Sequence, residues 1–140
     1  MDLGEAVSRL VAGIGFRQAV TAEEIADLIR RALALGGFPA DRLGAIATAA
    51  DRAGAPQARD AASAFGLAIL PVAEQALAAA DTNVETRSAR IEASRGIGSV
   101  AEAAALAAAG AGSRLVLPRI ASAGATCALA EHAPGTDEPA

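Results

Sequence analysis

The chain has 140 residues, 53% of them hydrophobic but only 2% aromatic, with a formal net charge of −4. That length fits one domain able to bury a core without staples, and one cysteine and one histidine exclude a disulfide framework and any multi-thiolate or multi-histidine metal site. The acidic balance without aromatic platforms argues against nucleic acid, apolar runs fall short of a membrane helix, and Met1 to Glu5 shows no basic-then-apolar leader, so a soluble cytoplasmic protein is expected.

Arg9 to Gly15 reads as a buried strand ending in Gly13-Ile14-Gly15. The turn lacks the third glycine and the acidic partner of a dinucleotide fingerprint. Gly13 and Gly15 therefore either end a strand or admit a ligand closely, and Arg17 follows them. Thr21 to Leu35 reads as a helix with Ile25, Leu28, Ile29, Ala32 and Leu35 on one stripe. Thr21-Ala22-Glu23-Glu24 forms a capping box at its start, and Gly36-Gly37 followed by Pro39 stops it. Leu43 to Ala49 is a second strand. Thr48 and Asp51 lie at its C-terminal end, where ligands gather in open α/β sheets. Asp51 is the best lone carboxylate for base chemistry, and equally suited to cap a turn.

Gln57 to Phe65 reads as a helix ended by Gly66, and Leu67 to Leu70 as a third strand. Pro71 suits the first turn of a further helix, running to about Ala80. Asp81 to Arg95 has no clean period and reads as a loop, in which Thr86 and Ser88 offer hydroxyls to a ligand. A serine nucleophile is not expected, with one histidine and no Gly-x-Ser-x-Gly elbow. Gly96-Ile97-Gly98-Ser99 then runs into a helix over Ser99 to Ala109, where Ser99 and Glu102 form a second capping box. Free backbone donors and a positive dipole end there suit an anion. Gly110 and Gly112 stop that helix. Arg114 to Leu117 is a strand before Pro118, a rigid lead-in to Arg119. Thr126 to His132 is the last strand, carrying a buried Cys127, and Pro134 to Ala140 is a polar tail.

The last two strands are too close in sequence for a helical crossover and pair as a hairpin. The expected fold is a single three-layer α/β/α domain over residues 1–132, with a mostly parallel, mixed sheet of about five strands, and a disordered tail over 133–140.

Several segments, in this order and spacing, resemble one family: Val11 to Arg17, Thr21 to Ile25, Ile46 to Asp51, Thr86-Arg87-Ser88, Gly96 to Leu106, Leu117-Pro118-Arg119, and Thr126 to Ala130. They resemble the CobE family of cobalamin biosynthesis, itself similar to the C-terminal domain of CbiG. The likeness runs from about Leu10 to His132, with Ser99-Val100-Ala101-Glu102-Ala103-Ala104-Ala105-Leu106 its strongest stretch. It implies a three-layer α/β fold and a role in making the corrin ring. CbiG proteins are associated with opening a lactone on a cobalt-precorrin, and the likeness covers only their C-terminal part. Where the commoner first motif has a cysteine and basic residues, this chain has Phe16, Gln18 and Ala19, which argues against thiol chemistry there.

The expected function is non-covalent binding of a corrinoid or precorrin intermediate, without metal or cofactor. Its contacts are the turn glycines, hydroxyls, carboxylates and two arginines singled out above. Two alternatives stand beside it: hydrolysis of a precorrin lactone by water activated at Asp51, and a non-catalytic interaction module for another pathway enzyme. The alanine-rich helix from Ser99 also offers a face to a second copy of the chain, as in a homodimer.

Overall fold

The computed structural model describes residues 9–80, 98–110 and 113–131, with the side chains of residues 98 and 99 excluded. Its central strand, β1 (Leu10–Phe16), is buried at every position, as a strand covered on both faces must be. Alternate side chains part to the two faces. Leu10, Ala12, Ile14 and Phe16 join a core with α1 (Ala22–Gly36) and α2 (Pro56–Ser63). Val11 joins a second core with α3 (Glu74–Ala80) and α4 (Gly98–Ala109).

β2 (Leu43–Ala49) and β3 (Ile69–Val72) extend the sheet on one side of β1 in parallel, and β5 (Ala125–Glu131) and β4 (Arg114–Ala121) on the other. The strand order is β3-β2-β1-β5-β4. β5 is antiparallel to both of its neighbours, so β5 alone is reversed and the other four strands point the same way. The mixed three-layer α/β fold and the β4–β5 hairpin agree with the sequence reading.

Three local expectations change. The stripe of α1 buries Ile25, Leu28, Ile29, Ala32 and Leu33, while Leu35 is 60% exposed. The buried face is shifted towards the side of the helix that carries Ala26 and Leu33, both buried. The third strand starts at Ile69 rather than Leu67, and Pro71 lies inside it, paired with Thr48. β4 likewise continues through Pro118 to Ala121. Both prolines are tolerated because β3 and β4 are the sheet's edges, where a missing N–H need not leave a ladder bond unmade.

One row across the sheet joins Arg114, Glu131, Leu10 and Leu43 at the N-terminal ends of the same-facing strands. Glu131 receives Arg42 on one oxygen and Arg114 on the other, each at 3.1 Å. Burial pushes its carboxyl pKa up, but the two guanidiniums outweigh that and hold it below the usual carboxylate value. Because α4 ends just before Arg114, its C-terminus lies at this edge, and its N-terminus therefore faces the opposite one, where β1, β2 and β3 end.

Candidate functional site

The C-terminal edge is where β1 meets both a parallel and an antiparallel neighbour, the switch point that collects ligands in open α/β sheets. The β1–α1 connection leaves this edge through the exposed Arg17, whose N–H donates to the Gly124 carbonyl at 2.9 Å. The β2–α2 connection leaves it through the 3₁₀ turn Ala50–Arg52. Between the two connections lies an open depression of about 420 Å³, lined by Gln18, Asp51, Arg52, Gly54, Ala55, Pro56 and Gln57. Asp51 is exposed within it. Arg52 lies over the Phe16 ring, 5.3 Å from its centroid, which steadies the guanidinium at the end of β1. Gln57 Nε2 donates to the Gln18 carbonyl at 2.8 Å and ties the two connections together.

A second depression of about 730 Å³ flanks the first, beside α2 and the edge strand, lined by Ala53, Gly54, Pro56, Arg59, Asp60, Ser63 and Leu67 among others. Gly54 and Pro56 line both.

The sequence-derived candidates are distributed as follows. Asp51 lines the smaller depression, and Arg17 precedes Gln18 on its rim. Thr48 is buried, and its hydroxyl donates to the Ile14 carbonyl at 2.8 Å. Gly13 lies under α4, where a Cβ would stand 2.0 Å from the Ala101 carbonyl oxygen and 2.5 Å from the Ala105 nitrogen. Gly15 is buried beside it, its carbonyl 3.5 Å from the Thr126 hydroxyl. These contacts fill the space above Gly13 and the space around Thr48 with protein.

Thr21 caps α1, its hydroxyl accepting the Glu24 N–H at 3.1 Å. The Glu24 carboxylate turns to the β4–β5 connection, accepting the Ser122 hydroxyl and the Gly124 N–H. Those two bonds hold its pKa below the ordinary value against the opposing effect of desolvation. Glu102, on α4, is fully buried and accepts the Arg119 N–H at 3.1 Å. Gly98 and Ser99 belong to the first turn of α4. Thr86, Ser88 and Gly96 lie outside the described residues, as do the expected loop, His132 and the tail.

Arg52 and Gln57 were not singled out from the sequence. Arg52 follows Asp51 directly, but its place above Phe16 depends on the neighbouring of β1 and β2, which no local pattern encodes. Cys127 is fully buried in β5, and desolvation pushes its thiol up to about 12. It is a packing residue with no thiolate at neutral pH.

Among the described residues no cluster of histidine, cysteine and acidic side chains could hold a metal ion. Nor among them is any helix long and apolar enough to cross a membrane. The α4 residues from Ala101 to Leu106 are buried within the chain, so that stretch presents no open face.

A family described as cobalamin synthesis G C-terminus matches residues 10–130. Among solved structures, CobE from the cobalamin (vitamin B12) pathway is 33% identical over 89% of this chain and 90% of its own, with a TM-score of 0.78. Cobalamin biosynthesis protein ChiG from Agrobacterium tumefaciens is 38% identical over 86% of this chain and 96% of its own, at a TM-score of 0.68. A cobalamin biosynthesis protein G homologue from Sulfolobus solfataricus is 27% identical over 89% of this chain but 37% of its own length, at 0.67. No protein with a curated function matches the chain in sequence.

Proposed function

We propose, on the premise that the chain belongs to the cobalamin synthesis G C-terminus family, that it acts in corrin-ring biosynthesis by holding a corrinoid or precorrin intermediate at the C-terminal edge of its sheet. The observation that carries this reading is the depression of about 420 Å³ between the two strand-to-helix connections, with Arg52 steadied over Phe16 and the amides of Gln18 and Gln57 around it. A corrin intermediate is a broad apolar disc rimmed by carboxylates. A site for it needs planar donors at the rim and small residues beneath. Arg52 supplies a guanidinium fork that matches a carboxylate, and Gly54 and Ala55 leave room for the disc. The N-terminus of α4 faces the same edge of the sheet and adds backbone donors and a positive dipole end.

A second reading is hydrolytic. Asp51 is an exposed carboxylate in the same depression, positioned to activate water towards a lactone carbonyl. A third is that the protein docks onto another enzyme of the pathway and binds no small molecule.

Two incubations, one with a metal-free corrinoid and one with a lactone-bearing precorrin, separate the three. Purified protein is incubated with hydrogenobyrinic acid, a metal-free corrinoid, and followed by visible spectrum and by co-elution on gel filtration. A stable coloured complex is expected. Turnover of a lactone intermediate that disappears in Asp51→Asn would move the assignment to hydrolysis. No spectral change and no co-elution with any intermediate would leave only the docking role.

A further inference from the structure

Strand β4 carries more residues than β5 can pair. From Leu115 to Leu117 it advances two residues while β5 moves one, and from Leu117 to Ile120 it advances three against two. Pro118 and Arg119 occupy the second irregularity, a β-bulge. Pro118 has no N–H to give. The Arg119 N–H turns out of the ladder and donates at 3.1 Å to Glu102 Oε2 on α4. A carboxyl group buried as completely as Glu102 needs hydrogen-bond partners, and the Arg119 N–H is one of them. This bond joins a helix to a bulge in the sheet's outer strand.

Arg119 itself is half-buried. Its Nε is enclosed and lacks a hydrogen-bond partner among the described residues. Among the described residues no carboxylate forms an ion pair with its guanidinium. The Nε of that guanidinium is thus enclosed by protein, the residue as a whole is partly exposed, and among the described residues the cation stands without an anion. Bulges recur beside functional sites because the extra residue re-aims a side chain.

We infer that Glu102 is a positioning residue: it pins the β4 bulge and so aims the Arg119 guanidinium at a carboxylate of the bound ligand. This rests on the corrinoid-binding reading above. It makes Glu102 a support that never touches ligand, and Arg119 the rim anchor on the antiparallel side of the sheet.

The test titrates hydrogenobyrinic acid against wild type and variants and reads the dissociation constant from the visible spectrum. Arg119→Ala is expected to weaken binding roughly 10- to 100-fold, the loss of a hydrogen-bonded charged group. Arg119→Lys recovers only part of it, because an ammonium cannot form the fork. Glu102→Ala weakens binding comparably, and Glu102→Gln, whose amide oxygen accepts the same N–H, rescues it. The double variant Glu102→Ala/Arg119→Ala binds no more weakly than Arg119→Ala alone, since both act through one guanidinium.

Backbone amide exchange reads the latch without ligand: the Arg119 N–H is protected in wild type and in Glu102→Gln. Unchanged affinity in Arg119→Ala overturns the anchor and leaves corrinoid binding standing. Additive losses in the double variant, or an unprotected Arg119 amide in wild type, overturn the positioning role. Absence of binding by wild type removes the corrinoid reading itself, and the anchor with it. If Glu102→Ala does not fold, Arg119→Ala and the wild-type amide protection decide the matter.

Discussion

At the scale of single residues, the glycine with least room for a side chain among those described is Gly13, which lies against a helix backbone. A Cβ on Gly13 would meet the Ala101 carbonyl oxygen at 2.0 Å and the Ala105 nitrogen at 2.5 Å. Neither atom can rotate away, so relief requires α4 to lift off the sheet. Gly13→Ala should therefore cost about 2–4 kcal/mol, at or above the upper range for overpacking. Gly54→Ala, with nothing within 4 Å of its added methyl, should stay within about 0.5 kcal/mol of wild type. Urea unfolding of the two variants checks this, and equal midpoints would refute the helix-on-glycine packing. Cys127 yields a second outcome. With burial raising its thiol to about 12, a thiol reagent at pH 8 should leave the native protein unlabelled and modify it fully in denaturant. Labelling at the native rate of a free thiol would mean that β5 opens readily. Gly13 was conspicuous in the sequence, yet its neighbour was not. The residues that demand its missing side chain lie far along the chain in α4, and only tertiary packing brings them together.

At the scale of elements, the capping boxes divide between what is local and what is not. The hydroxyl half of the first box, Thr21 to the Glu24 N–H, was legible because both groups lie in one helical turn. The acidic half was not, since Glu24 finds better donors on the β4–β5 connection, the Ser122 hydroxyl and the Gly124 N–H. The prolines follow the same logic. Pro71 and Pro118 looked like helix and strand boundaries because a proline interrupts most ladders, and they sit within strands because those strands are edges. The Glu24 tie has a consequence with pH. Its folded pKa lies below the ordinary carboxylate value, so near pH 4 the folded chain binds fewer protons there than the unfolded chain. The tie's contribution is complete above roughly pH 4.3, the unfolded value, and fades as pH falls through the lower folded one. Wild type should be more stable than Glu24→Gln at pH 7, and the gap should close towards pH 3. A gap of constant size across that range would show that the charge on Glu24 is immaterial to the turn.

On the scale of the whole molecule, the two ends of the sheet differ in how their charges are paired. At the N-terminal edge Glu131 is shared by Arg42 and Arg114, a closed arrangement with its charges paired. At the C-terminal edge Arg17 and Arg52 have no carboxylate partner among the described residues. The mixed sheet and its hairpin were readable from unbroken apolar runs and one short connection. The difference between the edges was not, because it depends on strand order and on the direction of α4. In the proposed binding mode, that difference sets the response to salt. The net charge of −4 repels a polycarboxylate at a distance, while unpaired guanidiniums attract it at contact. Raising ionic strength shortens the screening length from roughly 30 Å at 0.01 M to 8 Å at 0.15 M. Screening therefore removes the repulsion first and weakens contacts of a few ångströms less. Between 0.05 and 0.2 M salt the affinity for hydrogenobyrinic acid should change by less than about fivefold, far below the roughly 10³-fold and larger losses of ligands held by many exposed charge contacts. A steep loss over that interval would mean that long-range attraction from a basic surface holds the ligand. The anchoring groups would then lie elsewhere than at Arg52 and its neighbours.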